Sequence, residues 1–323
     1  YDLESGICTT IEASVEEEGR VVLGARTLSE MVRKLPEGDV SVCTDDKLVT
    51  QIRCGLSESS LMGIDAGEYP DLPQVQGKAT LKLSFDALRN LVKRTVFAVA
   101  VTDARPILTG VLLTAQGDGI TAVAVDGFRL GLAREKLLGG PVEPVSVVVP
   151  GKSMSEIGKI IRETDEELTL DLSDKHLRMA RGNVTFVCRL LEGDFINYES
   201  VIPTETTTET VVDTALLIDS IERASVVINE KMRSPIILRF EETGIGVSCV
   251  SSLGKVLDRV HAVTKGPELE LGVNNRYILD ALKACETQGV RVCMQSSLSP
   301  MMILPLEGND FLFIVVPMRY KTE

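Results

Sequence analysis

Three basic side chains sit where they could hold an anion. Arg26, Lys152 and Arg276 each stand just before an amphipathic helical run. A cation there opposes the positive end of the helix dipole, at a cost of about 0.3 kcal/mol or more. Surface solubility accounts for one such placement, but three at one repeat position point to a phosphate-like anion approached by the same edge of each unit. Catalytic chemistry has less to work with. His176 and His261 are the only histidines, too few for a multi-histidine metal site. No nucleotide-binding GxxxxGKS/T or GxGxxG, no GxSxG and no HExxH occurs. His176, in Asp174-Lys175-His176, reads as a solvated residue of a polar turn, and His261 as part of a strand-like run. Asp45-Asp46 and Asp165-Glu166-Glu167 fall at helix-to-strand turns and read as solvated charge runs, not metal carboxylates. The seven cysteines form no CxxC pair. They are expected to be reduced thiols that behave as small core residues, as in cytosol. No turnover, metal or cofactor is therefore expected.

Composition narrows the partners. The chain has 323 residues, 34 Lys+Arg against 47 Asp+Glu and a formal net charge of -13. That length predicts two or three domains. The acidic balance argues against a protein that simply coats DNA, and 4% aromatics with no Trp argue against stacking platforms for single strands. No stretch approaches the 18 or so apolar residues of a membrane span, and no secretory leader pattern opens the sequence, so a soluble, untargeted chain is expected.

The elements that must position these residues repeat. Val21–Thr44, Val147–Leu172 and Leu269–Met294 each read as strand, short turn, helix, strand. Apolar helix positions fall at Leu28, Met31, Val32 and Leu35, at Met154, Ile157 and Ile161, and at Ile278, Ala281, Leu282 and Cys285, the spacing of a buried face. Thr27-x-x-Glu30 and Ser153-x-x-Glu156 read as capping boxes, with Asn275 as the third cap. The period is about 125 residues. A second helix per unit is expected at Phe85–Thr95 and Ala215–Ser225, each after a short strand. Domains are expected at residues 1–78, 79–205 and 206–323, with the first lacking about 46 residues at its front by comparison with the second; truncation is the favoured explanation.

Two further features stand out. Ile120–Val125 and Arg129–Ala133 are β-prone runs joined through Asp126-Gly127, a hairpin signal. The C-terminal run Phe311–Val316 ends at Pro317, leaving Met318 and Tyr320 on an apolar tail. Such a tail either packs on the core or lines a groove that a partner fills.

Taken together, Val125-Asp126-Gly127-Phe128-Arg129-Leu130, Leu191–Tyr198 with Val201-Ile202-Pro203, Asn229-Glu230-Lys231 and Val316-Pro317-Met318-Arg319 resemble the beta sliding clamp family of bacterial DNA polymerase III, over the whole chain and in order. The resemblance implies an α+β fold of three repeated clamp-type domains, each of two β-α-β-β-β halves. Two such chains would close head to tail into a ring around duplex DNA. Polymerase III alpha subunit, clamp loader and other partners would dock short peptide motifs in a hydrophobic groove. By position that groove would be Leu108, Val125, Gly127, Phe128, Arg129, Leu130, Ile196, Ser200, Val201, Ile314, Val316, Pro317, Met318 and Arg319. Phe128, Ile196 and Ser200 depart from the family's frequent His, Pro and Arg. The DNA-facing positions would be Arg26, Arg33, Arg105 and Lys152, with Arg276 added by the repeat. The homodimer contact would involve Leu56, Ser59, Leu61, Val226 and Val227, with Ser59 in place of a common aromatic and Glu58 in place of a common base. A cytoplasmic, non-catalytic processivity factor is implied, with no membrane partner. A peptide-binding scaffold without a DNA role and an enzyme of an unfamiliar repeat family are the competing readings.

Overall fold

The computed structural model describes residues 1–75, 77–102, 105–161, 167–228 and 234–320. Its chain divides into two units, Tyr1–Pro73 and Gln74–Glu323.

The first unit holds β1 (Ser5–Thr9), α1 (Ala25–Val32), β2 (Val40–Thr44), β3 (Val49–Cys54) and β4 (Ser57–Met62). β2, β3 and β4 form an antiparallel meander with β4 at its edge. Alternation along β3 turns Thr50, Ile52 and Cys54 inward and leaves Gln51 and Arg53 outside. The helix corrects the expectation of a buried face. Leu28, Met31 and Leu35 are only half-buried and Val32 is exposed, so α1 contributes no buried residue. Among the described residues this unit has one helix, with no second helix to close over that apolar stripe. Thr27 is likewise no cap. The helix begins at Ala25 after Gly24, without a side-chain cap bond, and Glu30 instead accepts from Arg26 Nε at 3.0 Å.

The second unit contains the β-α-β-β-β half four times. These are β5 (Ala79–Leu83), α2 (Phe85–Val96), β6 (Gly110–Gly117), β7 (Gly119–Val125) and β8 (Arg129–Lys136); then β9 (Val142–Pro150), α3 (Gly151–Ile160), β10 (Leu168–Leu172), β11 (His176–Arg181) and β12 (Val184–Arg189). The third half is β13 (Thr208–Asp213), α4 (Thr214–Ser225), β14 (Ile236–Glu241), β15 (Gly244–Ser251) and β16 (Gly254–Lys265), and the last is β17 (Leu269–Val273), α5 (Asn275–Cys285), β18 (Gly289–Met294), β19 (Met301–Pro305) and β20 (Phe311–Val315). Halves interlock in pairs. The leading strand of each joins the first strand after the other's helix, β5 with β10, β9 with β6, β13 with β18 and β17 with β14. α2 packs on α3 and α4 on α5, each pair over its own core. The first core gathers Leu88, Leu91, Met154, Ile157 and Phe186; the second gathers Leu217, Ile221, Ile278, Leu282 and Phe313. A ladder between β8 and β20, from Phe311–Ala133 to Val315–Arg129, joins β6–β9 of the first pair to all eight strands of the second in one sheet. That ladder is why residues 79–205 and 206–323 hold together.

Helix starts also differ from the expected boxes. Ser153 is the third residue of α3, whose cap position is Pro150, and α5 is capped by Asn274, whose Oδ1 accepts from Arg276 N and Tyr277 N. Ser84 and Asp213 supply the cap bonds of α2 and α4. His176 is not in a turn but opens β11, half-buried, where desolvation and then the charges of Arg189 and Lys175 hold its pKa below the usual value. Five cysteines are buried, whereas Cys8 and Cys43 are exposed. Asp45 serves its turn by accepting from Lys47 N and Val49 N, and Glu167 pairs with Lys82 at 2.8 Å. Asp165, Glu166 and the run Asn229-Glu230-Lys231 lie outside the described residues.

Candidate functional site

The hairpin between β7 and β8 turns at Gly127, whose φ of 88° is a conformation that glycine adopts without strain. Asp126 Oδ1 accepts from Phe128 N at 2.9 Å and from Arg129 N at 3.0 Å, so the tip is held by its own first residue. Below it lies a third apolar cluster, between the two cores. Leu108, Val125, Leu130 and Ile314 are buried in this cluster beside Val123, Leu132, Cys293 and Met302. Ile196, with Phe195, Tyr198 and Ile202 of the segment before β13, packs half-buried against it. Four expected groove residues therefore share one floor and Ile196 borders it. Gly127, Phe128, Ser200 and Val201 are exposed around this floor.

The tail reaches the site by a different route. Val316 N donates to Phe128 O at 2.8 Å, and two residues on Met318 N donates to Gly272 O at 2.7 Å, adding a bridge to β17. Val316, Pro317 and Met318 are half-buried and Arg319 is exposed. Tyr320 Oη then donates to Glu270 Oε1 at 3.0 Å. Through Tyr320 the tail is thus a short edge segment anchored at both ends.

Arg129 is the most constrained member of the set. Its side chain is 11% exposed; Nε reaches Asp126 Oδ2 at 3.0 Å and Nη1 reaches Asp280 Oδ2 at 2.5 Å. The guanidinium lies 4.5 Å from the ring centroid of Tyr277, whose ring stacks at 23° to that of Phe128 with centroids 6.2 Å apart. Tyr277 and Asp280 had not been singled out from the sequence. The readable signal was an aromatic and an acid at i, i+3 on α5, beside its buried stripe, in a chain poor in aromatics.

The cations show a stricter regularity than expected. Arg26, Lys152 and Arg276 do not precede their helices; each is the second helical residue, of α1, α3 and α5. All three are exposed, as are Arg33 at the end of α1 and Arg105 before the short 3-10 turn Pro106–Thr109. Nearby charge is largely matched: Arg26 with Glu30, Lys159 with Glu156, Lys283 with Glu222, and both Arg89 and Lys93 with Glu286.

The expected dimer positions fall on two separate features. In the first unit Leu56 is fully exposed in the turn before β4, and Ser59 and Leu61 lie half-buried on that edge strand. Glu58 is held by Arg53 across the β3–β4 ladder at 2.8 Å. In the second unit Val226 is 78% exposed just after α4, and Val227 O accepts from Ser251 Oγ at the β15–β16 turn. Facing α4, Asp258 on β16 accepts from Arg223 and Ser220; burial opposes its charge, but these bonds and the Arg259 amide outweigh it and lower its pKa.

Comparison with known proteins places the chain in a family. The N-terminal, central and C-terminal domain models of the DNA polymerase III beta subunit match residues 1–73, 82–197 and 199–319. The beta sliding clamp of Bacillus subtilis (strain 168) is 34% identical over 309 residues, covering 95% of this chain and 82% of that protein. That of Halalkalibacterium halodurans is 31% identical over 98% of this chain and 84% of its own length. Among solved structures, the Bacillus subtilis DNA polymerase sliding clamp superposes with a TM-score of 0.91 at 32% identity, covering 99% of this chain and 87% of that one. The DNA polymerase III beta subunit of Thermotoga maritima gives 0.91 at 28%, with the same coverage. The chain belongs to the DNA polymerase III beta subunit family, the bacterial beta sliding clamps.

Proposed function

We propose that this chain is a DNA sliding clamp, a non-catalytic processivity factor that encircles duplex DNA as a homodimer and tethers the replicative polymerase. The carrying observation is the repeated placement of one exposed cation at the second residue of α1, α3 and α5, within a chain that is acidic overall. A ring keeps DNA by topology, so its inner surface needs only weak, exchangeable phosphate contacts, and net negative charge elsewhere discourages adhesion. Arg26, Arg33, Arg105, Lys152 and Arg276 would supply those contacts. Residues 1–78, 79–205 and 206–323 would be its three clamp modules.

Head-to-tail closure would bring the β4 edge of one chain to the second unit of the other. Gly254–His261 of β16 pair with β15 on one side, and β13 joins only from Ala262, which leaves an edge beside Val226 and Val227. Leu56, Ser59 and Leu61 would meet that edge. The floor of Leu108, Val125, Leu130 and Ile314, with Ile196, Val201 and the Val316–Arg319 tail, would take short apolar and aromatic motifs of the polymerase III alpha subunit, the clamp loader and other cytoplasmic replication proteins.

Loading the protein on nicked circular DNA tests the reading. Co-elution in gel filtration should be lost when the circle is linearised; equal retention on both forms would mean surface binding instead of enclosure.

A further inference from the structure

The groove reading leaves Asp280 without a role. It lies on α5, in the second core, while the hairpin it touches belongs to the first. Its partner Arg129 is nearly enclosed, and Phe97 and Tyr277 cover the faces of the guanidinium at 5.8 and 4.5 Å. Asp126 already takes Nε and the backbone amide, which leaves the outer nitrogen to Asp280. A planar guanidinium fixed by two carboxylates has one orientation, and the ring stacked against it is fixed in turn. The Tyr277 ring then stands nearly parallel to that of Phe128, a residue 59% exposed whose carbonyl is tied to Val316.

We propose that Asp280 is a positioning residue of the groove. Acting through Arg129, it sets Tyr277 and hence presents Phe128 as a preformed aromatic wall, so that the groove favours an aromatic side chain over an aliphatic one. This rests on the groove reading and adds to it the residue that sets the selectivity. Asp280 acts without touching the peptide. The wall lies outside the apolar floor, so its loss spares an aliphatic anchor.

The test is calorimetric titration of the full chain with two heptapeptides, one carrying a leucine and a phenylalanine, the other with leucine in place of the phenylalanine. Asp280→Asn, which keeps the volume and removes the charge, should weaken the phenylalanine peptide about tenfold, the scale of one lost charge-assisted hydrogen bond. The leucine peptide should change by less than about twofold, which also reports an intact floor. Asp280→Glu should recover most of the phenylalanine preference. Wild-type affinity for both peptides in Asp280→Asn, equal losses for both, or a Glu variant that behaves like Asn would each overturn the proposal. If the unaltered protein binds neither peptide, the groove reading fails, and the proposal with it.

Discussion

The amide of Met318 donates to the carbonyl of Gly272 at 2.7 Å, so the last described residues of the chain are bound to β17, the strand that opens the final half. The bond uses main-chain atoms only, which separates the tail's anchoring from what the Met318 side chain does. Met318→Ala keeps the bridge and should lower affinity for a leucine- and phenylalanine-bearing peptide by about 1–3 kcal/mol with little change in melting temperature. Gly272→Ala attacks the anchoring instead, because its new Cβ would lie 2.7 Å from Tyr320 Cδ1 and 3.2 Å from Met318 O. It should displace the tail, weaken the same peptide and increase hydrogen exchange at the Met318 amide. Peptide affinity unchanged in both variants would remove the tail from the groove.

Much of this was legible in the chain. Apolar spacing placed α2, α4 and α5 within a residue or so, because that spacing with a cap or breaker fixes a helix when a sheet lies beneath it, whereas the box at Ser153 put the start of α3 three residues late. The starts misplaced at Thr27 and Ser153 differ in cause. A capping box describes only a local option: β9 runs straight into α3 at Gly151, whereas α1 begins after Gly24, preceded by a single bridge at Val22 where a strand was expected. The Arg129–Asp280 pair, separated by 151 residues, could not be read from either element alone, since it exists only where β8 and β20 join the two cores.

Glu286 ties the same junction from the other side. It ends α5 in a left-handed conformation with φ of 51° and accepts from Arg89 Nη2 at 2.7 Å and from Lys93 Nζ, both on α2. Partial burial raises its pKa, but the two cations outweigh burial and hold the carboxyl below its ordinary value of 4.5. A lowered acid stabilises the fold above its unfolded pKa and loses that contribution as pH falls through the folded value. Wild type should therefore exceed Glu286→Gln in urea midpoint at pH 7, and the gap should close as pH falls below about 4.5. A gap that is constant with pH would assign the difference to packing.

Dimer closure has a sharp probe in Val226. Its exposure in the single chain means that a charge there should cost the fold little. Buried against a partner chain, the same charge would lack a counter-ion. Val226→Arg should leave the melting temperature nearly unchanged and shift sedimentation from two chains toward one at micromolar concentration. A dimer that persists unchanged would move the interface away from Val226.

The cations proposed to face DNA should not be equal. Arg26 is already partnered by Glu30 at 3.0 Å, a pair that must open or share its cation before a phosphate gains from it. Lys152 occupies the same second helical position on α3, but Glu156, the acid four residues on that corresponds to Glu30, is taken by Lys159 at 2.8 Å. Each phosphate that a cation neutralises releases condensed counterions and steepens the fall of affinity with salt. Lys152→Gln should therefore reduce the salt dependence of binding to linear duplex more than Arg26→Gln does, by up to about one unit of log–log slope. Glu30→Gln should act oppositely, strengthening the linear contact by freeing Arg26. Retention on a closed circle should respond to none of the three, because it depends on the ring staying shut. Fluorescence anisotropy over a salt series, beside gel filtration of loaded circles, reads both quantities; a substitution that lowered circle retention in proportion to linear affinity would show that phosphate contacts, and not enclosure, hold the DNA.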